Sequence, residues 1–271
     1  MPPRVPCYCH ATDRQAHMRG WQTADIMELA GHTVLITGGG SGIGRALSGR
    51  FAEAGSSVVV CGRRESKLRE IETALPGVRT RACDLSTAAA RVELVEWVIR
   101  EFPQLDVLVN NAGVQRRIDL TAPESWEHTH EEIAINFEAQ VHLCSLLIPY
   151  LRTQQHPAIV NVTSGLAFVP LAAVPVYCAT KAAFHSFTLS LRRQLAATPI
   201  AVVEVAPPAL NTDLGGPGTH TQFMALDEFI EAAMAQLEAG SEEITYGFSE
   251  QAAAASGKER AQIFERMNAS R

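Results

Sequence analysis

Tyr177-Cys178-Ala179-Thr180-Lys181 sets a phenol and an ammonium four residues apart in a stretch with helical patterning. Residues at that spacing share a helix face, and a cation beside a phenol favours the phenolate and draws its pKa below about 10. A tyrosine tuned in this way gives or takes a proton near neutral pH. Lys67, Lys181 and Lys258 are the only lysines, beside four tyrosines. Taken alone, the pair is equally an ordinary contact between adjacent helical turns. The elements around it decide between the two.

Short apolar runs alternate with helical patterns along the chain. Strands are expected at 33–37, 57–61, 78–82, 105–109, 158–163, 200–206 and 243–247, and helices at 42–54, 65–74, 88–101, 133–152, 175–197, 226–238 and 258–267. Several strands are continuous Val/Ile runs, as in a parallel sheet buried on both faces. Strict alternation points to an α/β fold: one Rossmann-type doubly wound parallel sheet of about seven strands, with helices on both faces. Residues 1–26 lack apolar periodicity and read as a disordered extension, leaving 27–271 as the folded unit.

Thr37-Gly38-Gly39-Gly40-Ser41-Gly42-Ile43-Gly44 follows the first strand and opens the first helix. Glycines there let the backbone turn tightly and approach a pyrophosphate at a helix N-terminus. Gly62-Arg63-Arg64 ends the second strand. Guanidinium forks suit a phosphate, so NADP(H) is the expected cofactor and NAD(H) the alternative; the other reading is the solvated start of a helix. Asp84, followed by Leu85, stands where an adenine amino group is met, or else caps a helix. Asn110, Asn111, Ala112 and Gly113 close the fourth strand and Ser164 the fifth. Asn136 lies inside the long helix before it, where a buried amide needs a partner.

Together these motifs resemble the short-chain dehydrogenase/reductase family, in the branch whose members are about this size. The resemblance spans the chain from Met27 onward and rests on Thr37–Gly44, Asp84, Asn110–Gly113, Asn136, Ser164, Tyr177 and Lys181 in family order and spacing. It implies Tyr177 as proton donor or acceptor, Ser164 as the group that orients and polarises the substrate oxygen, and Lys181 as holder of the nicotinamide ribose. Asn136 would support a water that relays protons to Lys181, and Thr212, after Pro207, would meet the nicotinamide carboxamide. The implied activity interconverts a carbonyl and a secondary alcohol, with a small-molecule substrate and a homodimer or homotetramer as the assembly. Gly165–Pro170 and Ala206-Pro207-Pro208 resemble the DltE-like subgroup. Pro207-Pro208 replaces the family's usual Pro-Gly, and Ser41 stands where some NADP-dependent relatives carry a basic residue. The rivals are a nucleotide-binding sensor or scaffold on the same fold, which needs no intact proton-transfer set, and an enoyl reductase, whose tyrosine and lysine usually lie farther apart.

Phe168, Val169, Val174 and the loop 214–223 are expected to shape an apolar substrate pocket, bordered by Gln115 and Arg116. Hydrophobic residues are 46%, charged residues 19%, and the net charge is −6. With no basic stripe, neither nucleic acid nor an anionic membrane is an expected partner. No apolar run reaches the roughly 18 residues of a bilayer span, and a cytoplasmic location is the default. Cys61, Cys83, Cys144 and Cys178 read as small buried hydrophobes. Cys7 to His10 lacks a second ligand pair, so no metal is expected, and His128 and His130 read as loop surface.

Overall fold

The structure, a computed structural model, describes residues 29–123 and 126–269. The expected extension and the stretch from Cys7 to His10 lie outside the described residues. Runs of β-branched residues form seven strands: β1 (Thr33–Thr37), β2 (Ser57–Gly62), β3 (Arg79–Ala82), β4 (Val107–Asn110), β5 (Ala158–Val162), β6 (Ala201–Ala206) and β7 (Glu243–Thr245). They pair in parallel in the order β3-β2-β1-β4-β5-β6-β7. Parallel neighbours need long crossovers. These are supplied by α1 (Gly42–Glu53), α2 (Glu65–Ala74), α3 (Ala88–Glu101), α4 (Trp126–Ile133), α5 (Ala139–Leu151), α6 (Pro175–Leu195) and α7 (Leu226–Glu238), with α8 (Phe248–Ala254) and α9 (Gly257–Asn268) after the last strand.

Side chains alternate across a strand, so each strand feeds two cores. Val34, Ile36, Val58, Val60 and Val109 pack with Phe51 of α1, Ile71 of α2 and Phe229 of α7. Leu35, Val59, Leu108 and Ile159 pack on the other face with Leu94 of α3, Leu143 and Leu147 of α5, and Leu191 of α6. Both faces are dry, which is why the strands read as continuous apolar runs. Cys61, Cys83, Cys144 and Cys178 are free and buried in or beside these layers.

Two departures from the sequence expectation bear on function. The long helix expected at 133–152 is instead α4, a π-helical turn at Ala134–Glu138, and α5. His128 and His130 therefore lie on a helix and not in a loop. The buried face of α4 carries Thr129 and Glu132, so apolar periodicity could not reveal it. The second departure is α8, whose Ser249 packs so closely on the turn Gly165–Ala167 that a Cβ at Gly165 would lie 2.9 Å from the Ser249 Cβ.

Candidate active site

Crossovers leave β1 toward β2 on one side and reach β4 on the other, opening a crevice beyond their carboxyl ends. Gly38 turns the chain there with φ of 67°, and a Cβ on it would stand 2.8 Å from the Ala112 Cα. At Gly44 a Cβ would collide with the Asn111 Nδ2. That amide donates to the Thr37 carbonyl at 2.8 Å. Thr37 Oγ1 accepts from the Asn111 and Ala112 amides at 2.9 and 3.0 Å and donates to the Val109 carbonyl at 3.2 Å. Thr37 thus ties β1 to β4 from within. Gln140, which the sequence reading missed, secures the same segment from α5 by donating to the Ala112 carbonyl at 2.7 Å. With the strand ends fixed, the first amides of α1 are left without intrahelical partners. Ser41 makes no capping bond with its side chain, and Ser41, Gly42 and Ile43 line the crevice. This cradle fits a pyrophosphate.

The proton-transfer candidates meet on the other side of the crevice. Asn136 sits on the π-helical turn, a distortion often found at functional sites. Its Oδ1 accepts from the Val114 amide at 2.8 Å, and its Nδ2 donates to the Val114 carbonyl at 2.8 Å and to Thr180 Oγ1 at 3.2 Å. Thr180 in turn donates to the Tyr177 carbonyl at 2.8 Å. Lys181 Nζ donates to the Val162 carbonyl at 2.7 Å and lies 5.7 Å from the centre of the Tyr177 ring. Gly113 leaves room between them, since a Cβ there would be 3.5 Å from Asn136 Oδ1 and 3.8 Å from Lys181 Nζ. Ser164 Oγ accepts from the Leu166 amide at 3.1 Å, fixing its hydroxyl at the end of β5.

The electrostatics correct one expectation. Burial pushes the Tyr177 phenol above its ordinary value; Ser164 pulls it down, while Cys178 and Glu132 push it further up. Burial also pulls the Lys181 ammonium down to about 8, against an upward pull from Glu204. The sequence spacing implied a cation lowering the tyrosine. In the structure desolvation dominates: both groups are buried, and the ammonium is turned to the Val162 carbonyl. Glu132 is fully buried beside them. Burial raises it to about 7, opposed only in part by the Arg116 amide and guanidinium.

A cavity of about 1010 Å³ joins these parts. Gly38, Gly40, Ser41, Gly42, Ile43, Arg63, Arg64, Leu85, Ala112, Gly113, Ser164, Tyr177, Lys181, Pro207 and Thr212 all line it. Thr37, Gly44, Asp84, Asn110 and Asn136 are not among its lining residues. Asn110 is turned away into the interior, its Nδ2 donating to Asn161 Oδ1 at 3.0 Å and to Cys144 Sγ at 3.3 Å. Asp84 accepts from the Ser86 amide at 3.0 Å, and Thr87, not Asp84, caps α3. At the end of the cavity beside β2, Arg64 donates to Ser41 Oγ at 2.9 Å, and Arg63 is ion-paired with Glu131. Glu131 also takes Arg116 at 2.5 Å. Gln115 and Arg116 border the cavity, as do Leu214, Phe223 and Met224. Phe168, Val169 and Val174 do not. Val169 and Val174 are core residues, and Phe168 packs edge-on against His185. Their place is taken by Leu166, Leu171, Phe248 and Met267. The last arrives because Asn268 accepts from the Ala172 amide at 2.8 Å, pinning α9 to the loop after β5. Among the described residues no group of three or more metal-type side chains converges, and no helix is long and apolar enough to cross a membrane.

Comparison with known proteins gives the same outline. The family model for short chain dehydrogenase matches residues 32–222. The chain is 44% identical over 248 residues to the uncharacterized oxidoreductase DltE of Bacillus subtilis, covering 89% of this chain and 98% of that one. It is 31% identical over 175 residues to the NADP-dependent 3-hydroxy acid dehydrogenase YdfG of Escherichia coli K12, covering 64% of this chain and 71% of the relative. A short-chain dehydrogenase from Sphingobium yanoikuyae, solved in complex with NADPH, superposes with a TM-score of 0.74 at 26% identity, over 89% of this chain and 98% of that chain. Sheet order, crevice and these likenesses agree that the chain belongs to the short-chain dehydrogenase/reductase family of oxidoreductases, close to its DltE-like members.

Proposed function

We propose that this oxidoreductase uses NADP(H) to interconvert a carbonyl and a secondary alcohol, with Tyr177 as the proton donor or acceptor. The observation that carries the reading is the joining, in one cavity, of exposed arginines at one end to Ser164, Tyr177 and Lys181 at the other. NADP(H) bound along the cavity would supply or accept the hydride. The cradle of Gly38, Gly40, Ser41, Gly42 and Ile43 would hold its pyrophosphate, and Arg63 with Arg64 its 2′-phosphate. That the relative YdfG is NADP-dependent supports the choice of cofactor.

For reduction, the proton must be on the phenol when substrate binds, and burial favours that state of Tyr177. Tyr177 then protonates the carbonyl oxygen while the Ser164 hydroxyl stabilises the charge developing there. Lys181 holds a positive charge beside the phenol, which eases its transient loss of a proton. Asn136, bonded to Val114 on one side and Thr180 on the other, ties the π-helical turn to α6 next to Lys181. Leu166, Leu171, Phe248 and Met267 exclude water from the substrate end.

A panel of ketones, aldehydes and secondary alcohols, assayed with NADPH and NADP⁺ by absorbance of the reduced nicotinamide, tests the reading. Turnover of at least one pair is expected. Tight nucleotide binding without turnover across the panel would favour the sensor alternative. We extend the same reading to a homodimer or homotetramer through the outer faces of α5 and α6, where Val141 and Phe187 are half-buried and Leu189 is exposed. Leu147 and Phe184, on the same two helices, are buried within the protomer and take no part in such a surface. Sedimentation giving only monomer at micromolar concentration would refute the assembly.

A further inference from the structure

β6 reads Ala201-Val202-Val203-Glu204-Val205-Ala206, and its one charged residue is completely buried. A strand of this sheet gains nothing from a carboxylate at such a position, because taking it out of water costs several kcal/mol unless partners compensate. The partners are specific. Thr163 Oγ1 donates to Glu204 Oε1 at 2.6 Å. His185 Nδ1 lies 2.9 Å from both carboxylate oxygens, so its N–H donates to them. His185 is one helical turn after Lys181 on α6, and residues so spaced share a face. The segment Val162-Thr163-Ser164 links the three sites: Val162 holds Lys181, Thr163 holds Glu204, and Ser164 is the candidate oxyanion donor.

We propose that Glu204, tethered by Thr163 and His185, is a positioning residue whose buried negative charge keeps the Lys181 ammonium charged at the Val162 carbonyl. This rests on the reading of Lys181 as part of the cofactor and proton-transfer machinery. Lys181 is buried, and its ammonium donates to a neutral carbonyl, that of Val162. Burial draws it down to about 8, and Glu204 is the charge that pushes it back up. Other titratable groups face the unit from neighbouring elements. His185 is raised chiefly by its bond to Glu204, lowered by burial, raised again by Glu243 of β7 and lowered by Arg260 of α9. Glu132 of α4 and Cys178 act on Tyr177. His185 is 22% exposed, so it exchanges protons with solvent. Once His185 is neutral, the carboxylate charge is unshielded and acts fully on the lysine.

The test is the pH dependence of NADPH affinity, measured beside kcat/KM, across the region of the lysine's pKa of about 8. Glu204→Gln keeps an oxygen to accept from Thr163 and His185 and removes only the charge. It should move the alkaline loss of NADPH affinity down by about one pH unit or more, with wild-type behaviour recovered in acid. His185→Arg leaves the carboxylate paired but places a permanent cation against it, and should move the loss in the same direction. This second variant decides the matter if Glu204→Gln fails to fold. His185→Asn keeps a donor without charge and should leave the alkaline loss where wild type has it. If the folded Glu204→Gln and His185→Arg variants keep the wild-type profile, the pair is merely structural and the inference is overturned. Lys181→Met separates the two levels of the argument. If it binds NADPH and turns over like wild type, the reading of Lys181 itself fails; if it is impaired while the other profiles stand still, only the role of Glu204 fails.

Discussion

The two ends of the crevice are built on opposite principles. Asn136, Lys181, Tyr177 and Ser164 are 0%, 3%, 6% and 7% exposed, and Asn136, Lys181 and Ser164 are held by bonds to main-chain groups. At the phosphate end Arg63 is 44% exposed, and its partner is a carboxylate that an incoming phosphate would replace. Chemistry asks for groups fixed before the reaction, because a misplacement of an ångström forfeits much of the rate. Anion binding asks for side chains that can exchange partners. One end is preorganised and the other exchangeable. The experiments below are ways to break that contrast or sharpen it.

The largest effect is expected at Tyr177. Tyr177→Phe removes one hydroxyl and keeps the ring, so packing in the small cluster with Val174 and Cys178 should scarcely change. Loss of a positioned general acid costs about 10²–10⁴ in rate. Steady-state turnover should fall by that factor, while NADPH titration should show nearly wild-type affinity. A variant that turns over as before would dissolve the contrast, since the buried end would then have no chemical role.

Glu132 extends the comparison to stability. Its carboxyl is raised from 4.5 to about 7 by burial, so the folded state holds a proton that the unfolded chain has lost. A group of this kind gives its full stabilisation below about pH 4.5 and loses it as pH rises through about 7. Glu132→Gln removes the titration. The variant's Tm relative to wild type should therefore improve steadily across that window, by the equivalent of about 3 kcal/mol at most. A constant difference in Tm across the window would mean that Glu132 meets a partner that keeps it ionised.

These two ends were also unequally legible in the sequence. The glycine-rich loop and the Tyr177–Lys181 spacing are local patterns, and β1, α2, α3 and α7 fall where local periodicity predicts them. What stayed hidden depends on contacts between distant segments. α4 carries Thr129 and Glu132 on its buried face, so no apolar stripe announces it. Proximity in sequence points to Phe168, Val169, Val174 and the loop 214–223 as the substrate wall; Leu214 and Phe223 of that loop do line the cavity, whereas Met267 reaches it only because Asn268 is bonded to the loop after β5. Glu204 was concealed inside a valine run, and its partners lie on β5's continuation and α6. The Tyr177 phenol was expected to be lowered by its neighbouring lysine; spacing reports which groups are near, but only burial decides which effect wins.

At the phosphate end, Arg63→Ala should weaken NADPH binding by removing a charge-assisted contact worth roughly 1.5–3 kcal/mol, or about ten- to a hundredfold in affinity. NADH, which lacks the 2′-phosphate, should bind the variant and wild type alike. Parallel titrations of both nucleotides give the ratio directly. Equal losses for the two would mean that Arg63 supports the adenosine pocket in general, not the phosphate.

The smallest effect, and the sharpest probe of exchangeability, is expected from Glu131→Gln. Burial pushes the Glu131 carboxyl up, but Arg63 and Arg116 together outweigh it and hold the group below its ordinary range. In the structure Glu131 occupies the guanidinium that the 2′-phosphate would need. Partly exposed pairs of this kind are worth about 0–1 kcal/mol, so breaking one to free Arg63 costs little, and relieving that cost in advance should tighten NADPH by only a few-fold. NADH affinity should not change, because it makes no demand on Arg63. The effect should shrink as salt is raised, since both the ion pair and the phosphate contact are screened. Weaker NADPH binding in the variant would reverse the assignment: Glu131 would then be holding Arg63 in its productive position, and the phosphate end would be as preorganised as the catalytic one.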